Sequence, residues 1–99
     1  MSTDIELDQK IKKEVRTPSK YKVVFLNDEY TPMEWVISLL ISIFKHSEES
    51  AQEITLTVHN EGSGVAGVYS YEIAESKIVE AISMTREHGF PLQIKLMEE

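Results

Sequence analysis

The sequence predicts an α+β fold, a small three-stranded antiparallel sheet packed against three helices in the order β-α-α-β-α-β. Three observations predict it. Short β-rich runs occur at residues 21–26, 65–70 and 92–96. Segments with helical apolar spacing and start or stop signals fill the gaps. The roughly eighty residues involved are too few for a doubly wound sheet, so the helices pack on one face.

Each element has a local reason. Tyr21-Lys22-Val23-Val24-Phe25-Leu26 is the first strand, ending at the turn formers Asn27 and Asp28. Thr31-Pro32-Met33-Glu34 reads as a helix start. Thr31 caps, Pro32 takes the first helical position, and Glu34 reaches back to complete a capping box. That helix is expected to run to about Lys45 and, being apolar nearly all round, to lie centrally in the core. Ser47, Glu48 and Glu49 open the next segment, where local signals conflict. Ile54, Leu56 and Val58 alternate like a strand, whereas Ala51, Ile54 and Val58 form a helical stripe; the acidic first turn decides for a helix. Gly62-Ser63-Gly64 is a turn, and Val65 to Ser70 the second strand. Ser70 caps a third helix with the face Ala74, Ile78, Ala81, Ile82 and Thr85, closed by Gly89. Leu92 to Leu96 alternates cleanly and is the last strand.

The chain of 99 residues divides once. Residues 1–19 have few bulky apolar residues and end at Thr17-Pro18-Ser19, which reads as a flexible N-terminal arm. Residues 20–99 form the core domain. Four basic residues balance four acidic ones in the arm, so the excess, 6 basic against 13 acidic, lies in the core. Such an acidic surface repels phosphates and suits cationic ligands, which argues against nucleic acid. With no cysteine there is no thiolate metal site or cysteine nucleophile. The most apolar stretch is about half a bilayer span and no signal peptide is visible, so a cytoplasmic protein with no membrane partner is expected.

Three features carry candidate chemistry. Asn27-Asp28-Glu29, at a strand end beside a helix start, offers two carboxylates and an amide oxygen to an ammonium group. The commoner role of such residues is to make the turn, and both readings stay open. His59 either caps the second helix or bonds a ligand; no His-x-x-x-His spacing supports a metal, and no cofactor is expected. His46 and His88 read as surface or capping residues near helix ends. The apolar set Met33, Val36, Val58 and Leu92 reads first as core, with Met33 close enough to the polar cluster to wall a pocket. No nucleophile elbow, phosphate loop or dinucleotide motif is present, so an enzyme is the weaker class.

The run Asn27-Asp28-Glu29-Tyr30-Thr31-Pro32-Met33-Glu34, after Tyr21 to Leu26, resembles the signature of ClpS, the bacterial N-end rule adaptor. Val58-His59 before Gly62, Gly67-Val68-Tyr69, Glu72 to Lys77 and Pro91-Leu92 agree in order and spacing, so the resemblance covers residues 20–97. It implies a monomeric adaptor, not an enzyme. Such an adaptor binds substrates with an N-terminal Leu, Phe, Tyr or Trp and delivers them to the N-terminal domain of a ClpA-type or ClpC-type AAA+ unfoldase. By position, Asn27, Asp28 and His59 would hold the α-amino group and Glu29 would add charge at the rim. Met33, Val36, Thr55, Val58 and Leu92 would line the side-chain pocket. Glu72 and Lys77 would contact the unfoldase, and the arm would serve handover. Thr55 stands where many relatives carry a bulky apolar residue, and Trp35 where they carry phenylalanine. The competing class is a peptide-binding or ribosome-associated domain of the same fold without selectivity for N-termini.

Overall fold

A computed structural model of the chain describes residues 19–99. The expected N-terminal arm therefore lies, but for Ser19, outside the described residues. The elements follow the predicted order: β1 (Tyr21–Leu26), α1 (Met33–Ser42), α2 (Glu48–Glu61), β2 (Ser63–Tyr69), α3 (Tyr71–Glu87) and β3 (Gln93–Glu98). β1 is central, with both neighbours antiparallel to it in the order β2-β1-β3.

Alternation along β1 sends Val23 and Phe25 into the core, where both are fully buried. They pack with Leu39 and Leu40 of α1, Ala51 of α2, Ala66 of β2, Ala74 and Ala81 of α3, and Ile94 of β3. The alanines let helices and sheet approach closely.

The register slips once. Val23 pairs with Gly67 and Val24 with Val65, so Ala66 is the extra residue of a bulge. Its carbonyl is taken by Nε2 of His46, while Nδ1 of the same ring lies 3.0 Å from the Ser50 hydroxyl. His46 is thus a half-buried clasp between the α1–α2 connection and the sheet, not the surface residue its place near a helix end suggests.

Other boundaries move for local reasons. The Thr31 capping box does not form. Pro32, in extended conformation, stands at the N-cap with no side-chain cap, and its carbonyl accepts from the backbone of Trp35. α1 stops at Ser42 rather than Lys45 because the chain reverses through Lys45 at φ 62°, an unusual left-handed conformation for a residue other than glycine. Nor is α1 buried all round: Val36, Leu39 and Leu40 face inward while Ile41 is exposed. α2 is helical as the acidic first turn requires, with Ser47 Oγ accepting from the Ser50 N–H at 3.1 Å. Gly62, at φ 93°, closes α2 alone, so Ser63 and Gly64 enter β2 instead of a longer turn. Ser70 precedes α3 but its hydroxyl makes no capping bond. His88 is the C-cap of α3, its Nδ1 3.1 Å from the Met84 carbonyl, and Gly89 follows at φ 78°. β3 starts one residue later than Leu92 and runs to Glu98, which pairs with Tyr21.

Candidate functional site

One cavity of about 460 Å³ opens where the end of β1, the first turn of α1, the second half of α2 and the residue before β3 meet. Its rim is polar and its walls are apolar.

The rim is built by the β1–α1 connection. Asn27 directly follows β1, and its N–H donates at 2.9 Å to the carbonyl of Gly62, binding this corner to the end of α2. Asp28 shapes the connection. Its Oδ1 accepts from the N–H groups of Tyr30 and Thr31, both at 2.7 Å, and its Oδ2 accepts from the Thr31 hydroxyl at 2.8 Å. Asp28 therefore does for this segment what the expected Thr31–Glu34 capping box would have done. Burial alone pushes the Asp28 carboxyl up; hydrogen bonds from Thr31 and Tyr30, with the Arg86 charge, outweigh it and hold the group below the usual carboxylate value. A carboxylate has about four lone-pair sites, so three accepted bonds leave one free on a residue that lines the cavity. Glu29 also borders the cavity.

The opposite rim is His59, exposed on the last turn of α2. Gly62 and Asn27 hold that turn against β1, which brings His59 and Asp28, thirty-one positions apart, to one opening.

The walls come from three elements. Val36, Val58 and Leu92 are almost wholly buried, and Met33 is 39% exposed at the mouth. Thr55 adds a polar residue to this wall, buried to 3% exposure, but its hydroxyl donates at 2.8 Å to the Ala51 carbonyl one turn back. With that proton committed, the side chain behaves as a small, mostly apolar wall. The position of Val58 depends on Gly64: a Cβ there would lie 2.8 Å from Val58 Cγ2, so only glycine lets α2 sit this close to β2.

The cavity thus gathers all nine residues singled out for it from sequence: Asn27, Asp28, Glu29, Met33, Val36, Thr55, Val58, His59 and Leu92. Leu26 and Thr31 line it as well. Sequence reasoning placed both in secondary structure only, although their adjacency to Asn27 and Met33 was the available signal. Glu72 and Lys77 lie apart on α3. Glu72 is exposed, but the Lys77 ammonium is engaged, donating at 2.8 Å to the Ile43 carbonyl and lying 5.3 and 5.9 Å from the Tyr69 and Phe44 ring centroids. Among the described residues no three His, Asp or Glu side chains converge on a metal position, and no helix is long and apolar enough to cross a membrane.

Residues 16–95 match the family model described as ATP-dependent Clp protease adaptor protein ClpS. The ATP-dependent Clp protease adapter protein ClpS of Hyphomonas neptunium is 43% identical over 96 residues, covering 97% of this chain and 80% of its own length. That of Caulobacter vibrioides is 45% identical over 89 residues, covering 90% and 82%. This chain belongs to the ClpS family of Clp protease adaptors. Among solved structures, Agrobacterium tumefaciens ClpS2 bound to L-phenylalaninamide superposes with a TM-score of 0.80 at 41% identity, covering 83% of this chain and 99% of that one. The ClpS match spans β1, β2, all three helices, the first half of β3 and every residue of the cavity.

Proposed function

We propose that this ClpS-family chain recognises proteins by a free N-terminal residue and delivers them to the AAA+ unfoldase of a Clp protease, without catalysing a reaction itself. The carrying observation is the pairing in one cavity of a hydrogen-bond-accepting rim with apolar walls. The ligand of the similar ClpS2 fits that pairing, because L-phenylalaninamide has a free α-amine, a large side chain and a blocked carboxyl group. It is an N-terminal residue cut free of its chain.

The physical steps are few. An α-amine is mostly protonated at pH 7. The Asp28 carboxylate, kept ionised, and the Asn27 side-chain oxygen accept its N–H groups, with His59 at the same opening as the third polar partner. The side chain enters between Met33, Val36, Val58 and Leu92, where burial contributes roughly 1.5–3 kcal/mol. Acetylating the amine removes the charge and two donors, leaving the acceptors unpaired, which lowers affinity by orders of magnitude. Met33, at the mouth, excludes side chains branched at Cβ. Glu72 and Lys77 on α3 contact the N-terminal domain of a ClpA-type or ClpC-type unfoldase. Residues 1–19 are the segment engaged at handover, and the adaptor works as a monomer in the cytoplasm.

Fluorescence anisotropy with a labelled ten-residue peptide tests the reading. A peptide beginning with Phe or Leu binds, while its N-acetylated twin and a version beginning with Val do not. Equal binding of all three would instead support a general peptide-binding domain.

A further inference from the structure

A second, shallower groove of about 350 Å³ runs along the other side of the first turn of α1. Pro32, Glu34, Trp35 and Ser38 form one bank, and His88 and Phe90 the other. Its aromatic rings hold one another in place: the Trp35 centroid lies 4.3 Å from that of His88 and 5.6 Å from that of Phe90.

Three donors around this groove already have partners within the protein. Trp35 Nε1–H is committed to Thr85 Oγ1 at 2.9 Å. His88 Nδ1 lies 3.1 Å from the Met84 carbonyl, which can only accept, so that nitrogen carries a proton committed to the protein. Arg86, exposed on the same helix end, donates through Nη1 to the Phe90 carbonyl at 2.9 Å. What the groove offers a ligand is the Glu34 carboxylate beside the Trp35, His88 and Phe90 rings. That combination recognises a cation, by charge-assisted hydrogen bonds and by the ring quadrupoles.

The groove shares a wall with the cavity. Thr31 and Met33 border the cavity, whereas the interleaved Pro32, Glu34 and Trp35 border the groove, so the start of α1 is the ridge between them. A helix with its side chains is about 10 Å across and an extended chain advances about 3.3–3.6 Å per residue. A peptide whose first residue fills the cavity therefore crosses the ridge at about its third to fifth residue.

We propose that the groove is a second substrate subsite, taking the guanidinium or ammonium of an arginine or lysine side chain a few residues downstream of the bound N-terminus. The proposal rests on the N-terminal reading of the cavity.

The test uses the full chain and labelled peptides beginning with Phe, with Arg replacing Ala at the third, fourth or fifth position in turn. At low salt, one of these Arg peptides binds about five-fold more tightly than the Ala peptide, the size expected of one half-exposed cation–π and ion-pair contact. Glu34→Gln abolishes that gain. Glu53→Gln on the exposed face of α2 and Glu80→Gln on the exposed part of α3, which change the net charge equally, leave it intact. A gain that survives Glu34→Gln, or that falls equally in all three variants, overturns the subsite in favour of general attraction to an acidic surface. If no Arg position matters while the Ala peptide still binds and its acetylated twin does not, the groove proposal fails alone. If the acetylated twin binds equally well, the cavity reading fails and the proposal with it.

Discussion

The indole Nε1 of Trp35 donates a 2.9 Å hydrogen bond to Oγ1 of Thr85, fastening the first turn of α1 to the last turn of α3. Thr85 has no solvent exposure. The bond also fixes the cavity, since α1 carries Met33 and Val36 and the chain leaving α3 carries Leu92 to the facing wall.

Trp35→Phe keeps an aromatic ring but strands the Thr85 hydroxyl without its donor. A buried polar group left unsatisfied costs about 1–3 kcal/mol. For a domain of this size each kcal/mol lowers Tm by about 4–8 °C. Thermal denaturation followed by circular dichroism should show that loss for Trp35→Phe. Adding Thr85→Val should return part of it, because both partners are then apolar. A double variant that melts lower than the sum of the two single losses would contradict the account.

Asp28 has two duties that can be separated. Its oxygens organise the turn through Tyr30 and Thr31, and its charge is proposed to hold the α-amine. Asp28→Asn keeps an acceptor oxygen for the backbone and removes the charge. The expected result is an unchanged fold with at least about ten-fold weaker peptide binding, as for a lost charge-assisted bond. The pH dependence follows the same group. Its folded pKa is depressed, so its stabilisation is complete above the unfolded value and is lost as pH falls through the folded one, below about pH 4. Chemical denaturation between pH 6 and pH 3 should therefore show a steeper acid loss in the wild type than in Asp28→Asn. Parallel curves would assign the acid sensitivity to other carboxylates.

Most elements were legible because each has its own punctuation. Ser47 with Glu48 and Glu49 set α2 against a misleading strand-like alternation, and Gly89 ended α3 where expected. The misread boundaries are places where tertiary contact outranks local preference. The Thr31 cap gave way because the Asp28 carboxylate reaches its backbone first. The bulge at Ala66 and its His46 partner leave no local trace, since the unpaired carbonyl exists only after β1 and β2 have paired. The residues of the cavity were each visible as turn formers, a helix-end histidine or apolar core. Their convergence was not, because it depends on contacts such as Asn27 to Gly62 across thirty-five positions. Only resemblance to a family could bring them together before a structure did.

Thr55 is a small residue in the pocket wall. Its hydroxyl is satisfied by Ala51, so Thr55→Val, of the same shape, should leave the preference among N-terminal residues unchanged and cost little stability. Thr55→Met extends into the cavity and crowds a large ligand. Peptides beginning with Trp or Phe should lose about ten-fold in affinity relative to one beginning with Leu, a change comparable to an overpacked core. Anisotropy titrations of the three peptides against the two variants decide it. A ranking altered by Thr55→Val would show that the hydroxyl, not the volume, is what the ligand meets.

Glu72 and Lys77 are both proposed to contact the unfoldase, yet they sit differently on α3. Glu72 is exposed, whereas the Lys77 ammonium lies against Tyr69 and Phe44 and donates to the carbonyl of Ile43 at the end of α1. Ile43 has already left the helix, and Lys77 supplies a donor there. Removing Lys77 therefore does more than delete a surface charge. Glu72→Ala should weaken binding to the purified N-terminal domain of a ClpA-type unfoldase and leave Tm within about 2 °C, as for an ordinary surface change. Lys77→Ala should weaken the same binding and also lower stability by about 1–2 kcal/mol, through the lost charged hydrogen bond and cation–π contacts. Lys77→Arg, which keeps the charge and a donor, should recover stability before it recovers partner binding. Calorimetric titration with the unfoldase domain, run beside thermal melts, separates the two effects. If Lys77→Ala melts like the wild type, the contact with Ile43 contributes nothing measurable and Lys77 acts on the partner alone.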